Sequence, residues 1–108
     1  QDESQSNGKE KSRIVDLPSQ FDVLFGRGRF AQDHSGNKAL RELIADYSCQ
    51  YNSCRKSDKT AIAEHVVRLV HQRNGHFLKK NITDGRWVEV SFIEAREKVA
   101  HDFHKRRE

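Results

Sequence analysis

The four residues Gly26-Arg27-Gly28-Arg29 form the most unusual stretch of this 108-residue chain. Two glycines let a backbone come close to a bound group, and two arginines offer planar forks that match phosphate oxygens. A helix is predicted to begin just beyond, near Ser35 to Asn37, and the free N–H groups of its first turn would add to an anion site. His34 and Asn37 flank that start. The chemistry suggested is the holding of phosphate rather than its turnover. The G-x-x-x-x-G-K-[ST] pattern of a nucleotide-binding loop is absent, and no G-x-G-x-x-G is present. The competing reading is a glycine turn whose arginines pair with Asp22 or Asp33.

Catalysis finds little support. No spacing selects a Ser-His-Asp or Cys-His set, and the carboxylates fall as helix partners and caps rather than as an acidic pair in apolar surroundings. His34 is the one histidine beside the glycine-rich loop. A loop anchor is the simpler role for it than a base in nuclease or phosphotransfer chemistry. Cys49 and Cys54 lie five apart on or near a predicted helix and read as reduced thiols in a reducing compartment. With the six histidines they make neither C-x₂-C nor H-x₃-H spacing, so neither a metal nor a cofactor is expected.

The elements that must position these residues follow from periodicity. Phe21 to Phe25 reads as a short strand closed by Gly26, and a loop runs on through Gly36. Leu40, Leu43, Ile44, Tyr47 and Tyr51 form one apolar stripe of a first helix. Lys38 and Glu42 make an i, i+4 pair on its other side. After a polar connection at Asn52 to Lys56, Ser57 or Asp58 caps a second helix with the stripe Ile62, Val66, Leu69 and Val70. Asn74-Gly75 ends that helix, with Gly75 free to turn left-handed. His76 to Lys80 and Arg86 to Val90 are strands joined by a hairpin loop with Asp84-Gly85 as its turn. Ser91 and Glu94 form a capping box for a third helix, whose stripe is Phe92, Ala95, Val99 and Phe103 and whose end is the basic run Lys105-Arg106-Arg107. The order β-α-α-β-β-α predicts an α+β, winged-helix-like domain in which the first strand joins the hairpin as a three-stranded sheet.

Charge is unevenly spread. Residues 1–20 are mostly polar, and three Lys/Arg against four Asp/Glu leave them at −1. They are expected to be a disordered or loosely docked arm, with the folded domain over 21–108. The remainder holds 17 Lys/Arg against 12 Asp/Glu, a balance of +5. Such an excess favours a polyanionic partner, either nucleic acid or an acidic membrane surface. A solvated surface with no partner is the plainer alternative. No apolar run approaches the ~20 residues of a membrane span, and no secretory signal is visible.

In a winged-helix arrangement the second helix is the recognition element, with Lys59, Thr60, His65 and Arg68 turned toward DNA. Lys79, Lys80 and Arg86 of the hairpin would follow a phosphate backbone. Arg27, Gly28, Arg29, His34, Asn37, Lys38 and Arg41 complete the candidate nucleic-acid-binding set around the glycine loop.

The ordered blocks Asp22-Val-Leu-Phe-Gly-Arg-Gly28, His34-Ser-Gly-Asn37, Leu40-Arg-Glu-Leu43, Lys59-Thr-Ala-Ile-Ala63, Phe77-Leu78, Trp87-Val-Glu-Val90 and Ala95-Arg-Glu-Lys98 resemble a domain family of unknown function. The resemblance is to a family that recurs in nuclear-type and otherwise uncharacterised proteins of diatoms and related algae. The resemblance covers about Asp22 to Arg107, with one departure, Ser35 where the family often has Pro. It implies that Arg27, Gly28, His34, Gly36, Asn37, Arg41, Lys59 and Thr60 belong to shared motifs, and it implies little about chemistry.

The expectation is therefore a non-enzymatic, double-stranded DNA-binding domain of a nuclear transcriptional regulator or chromatin-associated protein, with no membrane partner and no small-molecule substrate. The alternative is an interaction module that takes an acidic or phosphorylated peptide at the glycine loop. A small phosphate-chemistry enzyme ranks third.

Overall fold

The computed structural model describes residues 14–26 and 28–106. The elements in chain order are β1 (Ile14–Val15), β2 (Val23–Leu24), α1 (Arg29–Asp33), α2 (Ser35–Ser53), α3 (Lys56–Gln72), β3 (Phe77–Lys80), β4 (Trp87–Glu89) and α4 (Phe92–Arg106). The strands form one mixed sheet in the order β1-β4-β3-β2. The hairpin β3–β4 is antiparallel, β1 pairs antiparallel with β4, and β2 pairs parallel with β3.

The fold is α+β, as the patterning requires, but the sheet has four strands where the patterning predicts three. The extra strand comes from the segment assigned to the arm. Ile14 and Val15 lie opposite Val88 and Trp87, so the sheet takes in two residues of that segment; residues 1–13 lie outside the described residues. The parallel pairing of β2 follows from connectivity. Three helices separate β2 from β3, and a crossover of that length can bring two strands side by side in the same direction.

The period-2 alternation of strand side chains divides the core. Val23 and Phe77 point to one face of the sheet and join Leu40, Leu43, Ile44, Val66, Val67, Val99 and Phe103 of the three long helices. Leu24, Leu78 and Trp87 point to the other face, where Ala31 of α1 covers them and Val15 packs alongside. Helix α1 falls where the sequence predicts a loop. It has one buried residue, Ala31, so it leaves no apolar period to read. At the end of α3 the left-handed residue is Asn74 (φ 69°), not Gly75. Gly75 is required for another reason, since a Cβ there would overlap the Phe21 carbonyl. The expected cap at Ser57 or Asp58 is also displaced: α3 starts at Lys56, and its N-cap Arg55 makes no side-chain capping bond. The Ser91 cap holds, with the Glu94 N–H donating to Ser91 Oγ at 3.1 Å.

Strand β2 lies at the sheet edge, yet it is fully buried. On its inner side the N–H groups of Val23 and Phe25 donate to the carbonyls of His76 and Leu78. On its outer side the Asn37 amide takes the place of a neighbouring strand. Asn37 Oδ1 accepts from the Leu24 N–H at 2.8 Å, and Asn37 Nδ2 donates to the Leu24 carbonyl at 2.9 Å. Gly36 permits the approach, because any Cβ at that position would overlap the Asp22 backbone.

Asn37→Leu would leave both Leu24 groups buried and unpaired, so it should lower stability by about 2–5 kcal/mol. Lys38→Ala, one residue along on the exposed side, should stay within ~0.5 kcal/mol. Paired urea denaturation curves measure the difference.

Candidate nucleic-acid interface

A cleft of about 310 Å³ lies between α2 and α4, beside Gly26. Leu40 and Ile44 of α2 supply its apolar lining, with the buried Asn37 beside them. Gly26 and Gln32 close one end. The walls carry Arg41 from α2 and Lys98, Lys105 and Arg106 from α4, with Asp102 as the single carboxylate. The α4 residues share a face because they recur at intervals of about one or two helical turns.

These cations differ in how far they are engaged. Arg41 Nη2 donates to the Gln32 carbonyl at 2.9 Å, which fixes the guanidinium against α1. Lys98 Nζ lies 3.3 Å from Asp102 Oδ2 and 5.3 Å from the centre of the Phe25 ring. Lys105 and Arg106 are exposed at the end of the helix, and among the described residues neither is held by a carboxylate. One carboxylate among four cations leaves a surplus of positive charge facing one small volume.

The residues proposed from sequence do not gather in one place. Arg27 lies outside the described residues. Gly28 is exposed as the N-cap of α1, and Arg29 opens that helix on the surface. His34 Nε2 donates to the Ser19 carbonyl at 2.7 Å, the loop-anchoring role that competed with a catalytic one. Asn37 holds β2 from its buried position, as described above. Of the loop set, Arg41 faces the cleft with its charge, and Lys38 is exposed outside its lining.

On α3 three of the four expected recognition residues, Lys59, His65 and Arg68, are engaged by the protein itself. Lys59 Nζ donates to the Tyr51 carbonyl at 3.0 Å and to the Cys54 carbonyl at 3.5 Å, which satisfies orphan groups at the end of α2. Arg68 lies 3.8 Å from Glu64 and 5.5 Å from the centre of the Phe92 ring. His65 shares a 3.1 Å hydrogen bond with the Tyr47 hydroxyl. Thr60 is exposed in a separate groove between α3 and α4. On the hairpin, Lys79 pairs with Glu94 at 2.9 Å and Arg86 with Asp16 at 3.4 Å. Lys80 sits 5.8 Å from the Trp87 ring centre.

Lys98, Lys105 and Arg106 line the cleft, and sequence reasoning does not place them there. Their signal is present: residues 98, 102, 105 and 106 fall on one helical face. A basic run at a helix terminus is favourable in any case, which hides a second role. Which neighbour that face meets depends on how α4 packs on α2. Among the described residues no cluster of His, Cys, Asp and Glu could hold a metal ion, and no helix is long and apolar enough to cross a membrane.

A family profile described as a domain of unknown function (DUF6824) covers residues 22–105. No curated protein and no solved structure matches.

The outer side of α3 carries one perturbed group. His71 meets the Phe77 ring edge-on at 6.1 Å and the His76 ring at 6.2 Å. Desolvation against these rings holds its pKa below the ordinary 6.5; Glu89 pulls it back upward and His76 pushes it further down. The unfolded chain therefore binds this proton more tightly than the folded one. Its contribution to stability is complete above about pH 6.5 and is lost as pH falls through the lowered value. His71→Gln should make the acid-side loss of melting temperature shallower, as read from thermal melts between about pH 7.5 and pH 5.

Proposed function

The chain belongs to the DUF6824 family, and we propose that it binds nucleic acid, with double-stranded DNA as the substrate, across the basic cleft between α2 and α4. The observation that carries this reading is the set Arg41, Lys98, Lys105 and Arg106 around a cleft with a single carboxylate. Cations aimed at one volume from two helices suit a phosphate backbone, whose charges repeat along a line. Lys105 and Arg106 can engage phosphates without giving up an ion pair among the described residues. A winged-helix-like docking, with α3 in the major groove, would draw Lys59, Arg68, Lys79 and Arg86 away from the contacts described above. The cleft is therefore the better-supported surface. In this reading the domain is a non-enzymatic module, and its setting is a nuclear transcriptional regulator or chromatin-associated protein.

Binding of this kind releases counterions, so log Kd should rise steeply with log salt, by about 0.9 for each phosphate contacted. The double variant K105A/R106A should weaken binding to a random duplex and flatten the slope by about 2, with the melting temperature nearly unchanged because both side chains are exposed. Mobility shifts at several salt concentrations measure both effects. No binding at low salt by a protein with intact circular dichroism removes the reading. Displacement of the duplex by a phosphorylated peptide at lower concentration than by competing DNA favours the peptide module instead.

A further inference from the structure

We propose that Phe30 is a stacking platform for an unpaired nucleobase, so that the preferred nucleic acid carries at least one base outside the duplex stack. The proposal rests on the nucleic-acid reading above and deepens it by naming the form of the substrate.

Phe30 is 63 % exposed, although the next residue, Ala31, is buried in the core. Its ring is backed rather than loose. It stacks on Trp87 with the centroids 6.2 Å apart and the planes 27° from parallel, and the His34 ring lies 6.4 Å away. Trp87 is only 7 % exposed, so the indole forms a fixed floor and Phe30 is the ring that meets solvent.

Cations border the pair. Trp87 and Lys80 are directly opposite across β3 and β4, and alternation puts them on the same face of the sheet. Lys80 Nζ sits 5.8 Å from the indole centre. Arg29 is exposed beside Phe30 and lines the same open concavity of about 430 Å³, with Asp33, His34 and Ser35. Among the described residues neither Arg29 nor Lys80 is in an ion pair.

An exposed aromatic face with free cations beside it matches a nucleotide, in which a flat base hangs from a charged phosphate. Base stacking on an aromatic side chain tolerates any sequence, because every base has a π-face. A base still paired within a duplex has no free face to offer, so the ligand must present one that is bulged, flipped or single-stranded. A protein partner fits less well, since the exposed chain neighbours of Phe30 are Arg29, Gln32 and Asp33. The same short helix serves both surfaces, as α1 gives Gln32 to the cleft and Phe30 to the platform.

The test uses the full chain and three labelled DNAs at one salt concentration: a perfect duplex, the same duplex with a one-nucleotide bulge, and a thymidine single strand. Trp87 is the only tryptophan, so its fluorescence reports directly on the platform. The bulged duplex and the single strand should quench that emission, and the perfect duplex should not. Phe30→Leu should weaken binding to the first two by about five- to a hundredfold and leave the perfect duplex unchanged. Phe30→Tyr should restore binding. Thermal melts confirm that each variant folds. If Phe30→Leu alters none of the three affinities, or all three equally, stacking is overturned while the cleft reading stands. Failure of the unaltered chain to bind any of the three overturns both.

Discussion

The arrangement depends on a side-chain amide that stands in for a missing strand. Strand β2 is two residues long, lies at a sheet edge and is buried on both faces. An edge strand in that position would leave one row of backbone groups without water or partner. Asn37 meets both groups of Leu24 at once, and Asp22, 4 % exposed, fastens the segment on either side. One Asp22 oxygen accepts from the Ser19 N–H at 2.7 Å and the other from the His76 N–H at 2.9 Å. Two buried polar side chains thus hold the strand that leads into the glycine loop. The start of α1, and so the placing of Gln32 and Phe30, follows from them.

A second constraint is where the carboxylates fall. The positive balance of the domain is modest, so the cations that remain available matter more than the total. Glu64 holds Arg68 and Arg96, Glu94 holds Lys79, and Asp16 holds Arg86. Lys59 is taken up by backbone carbonyls. Exposed ion pairs of this kind add little to stability, but they subtract from the field that a polyanion would meet. Among the described residues Lys105 and Arg106 at the end of α4 and Arg29 at the start of α1 stand outside these pairs. A polyanion that touched both would run along the flank made by α1, α2 and α4.

The three long helices are legible in the sequence because an apolar period of 3.6 sustained over more than two turns suits a helix and fits no strand or loop. In the stripes Leu40-Leu43-Ile44-Tyr47-Tyr51 and Phe92-Ala95-Val99-Phe103 all members are buried except Tyr47 and Phe92, which are half-buried against the same core. The hairpin is legible from its turn residues. Strand β1 is not, since two residues in a polar stretch carry no alternation. Asn37 reads as a ligand because polar residues at a helix start often bind anions. Its actual role depends on β2 running alongside, which is tertiary information. Lys59 misleads in the same way, as the end of α2 lies eight residues back in sequence. The cleft is invisible for a related reason: each wall is an ordinary helix face, and only their packing creates the space between them.

The parallel pairing of β2 with β3 bears on how the chain reaches this structure. The bond from His76 to Asp22 spans 54 residues, whereas the β3–β4 hairpin closes over a short loop. Contacts so far apart in sequence form late, because the entropy of closing the chain must be met before they return any energy. Closing the chain between β2 and β3 therefore costs more entropy than closing the hairpin. A nascent chain lacks the parallel partner of β2 until residues 77 and 78 have emerged.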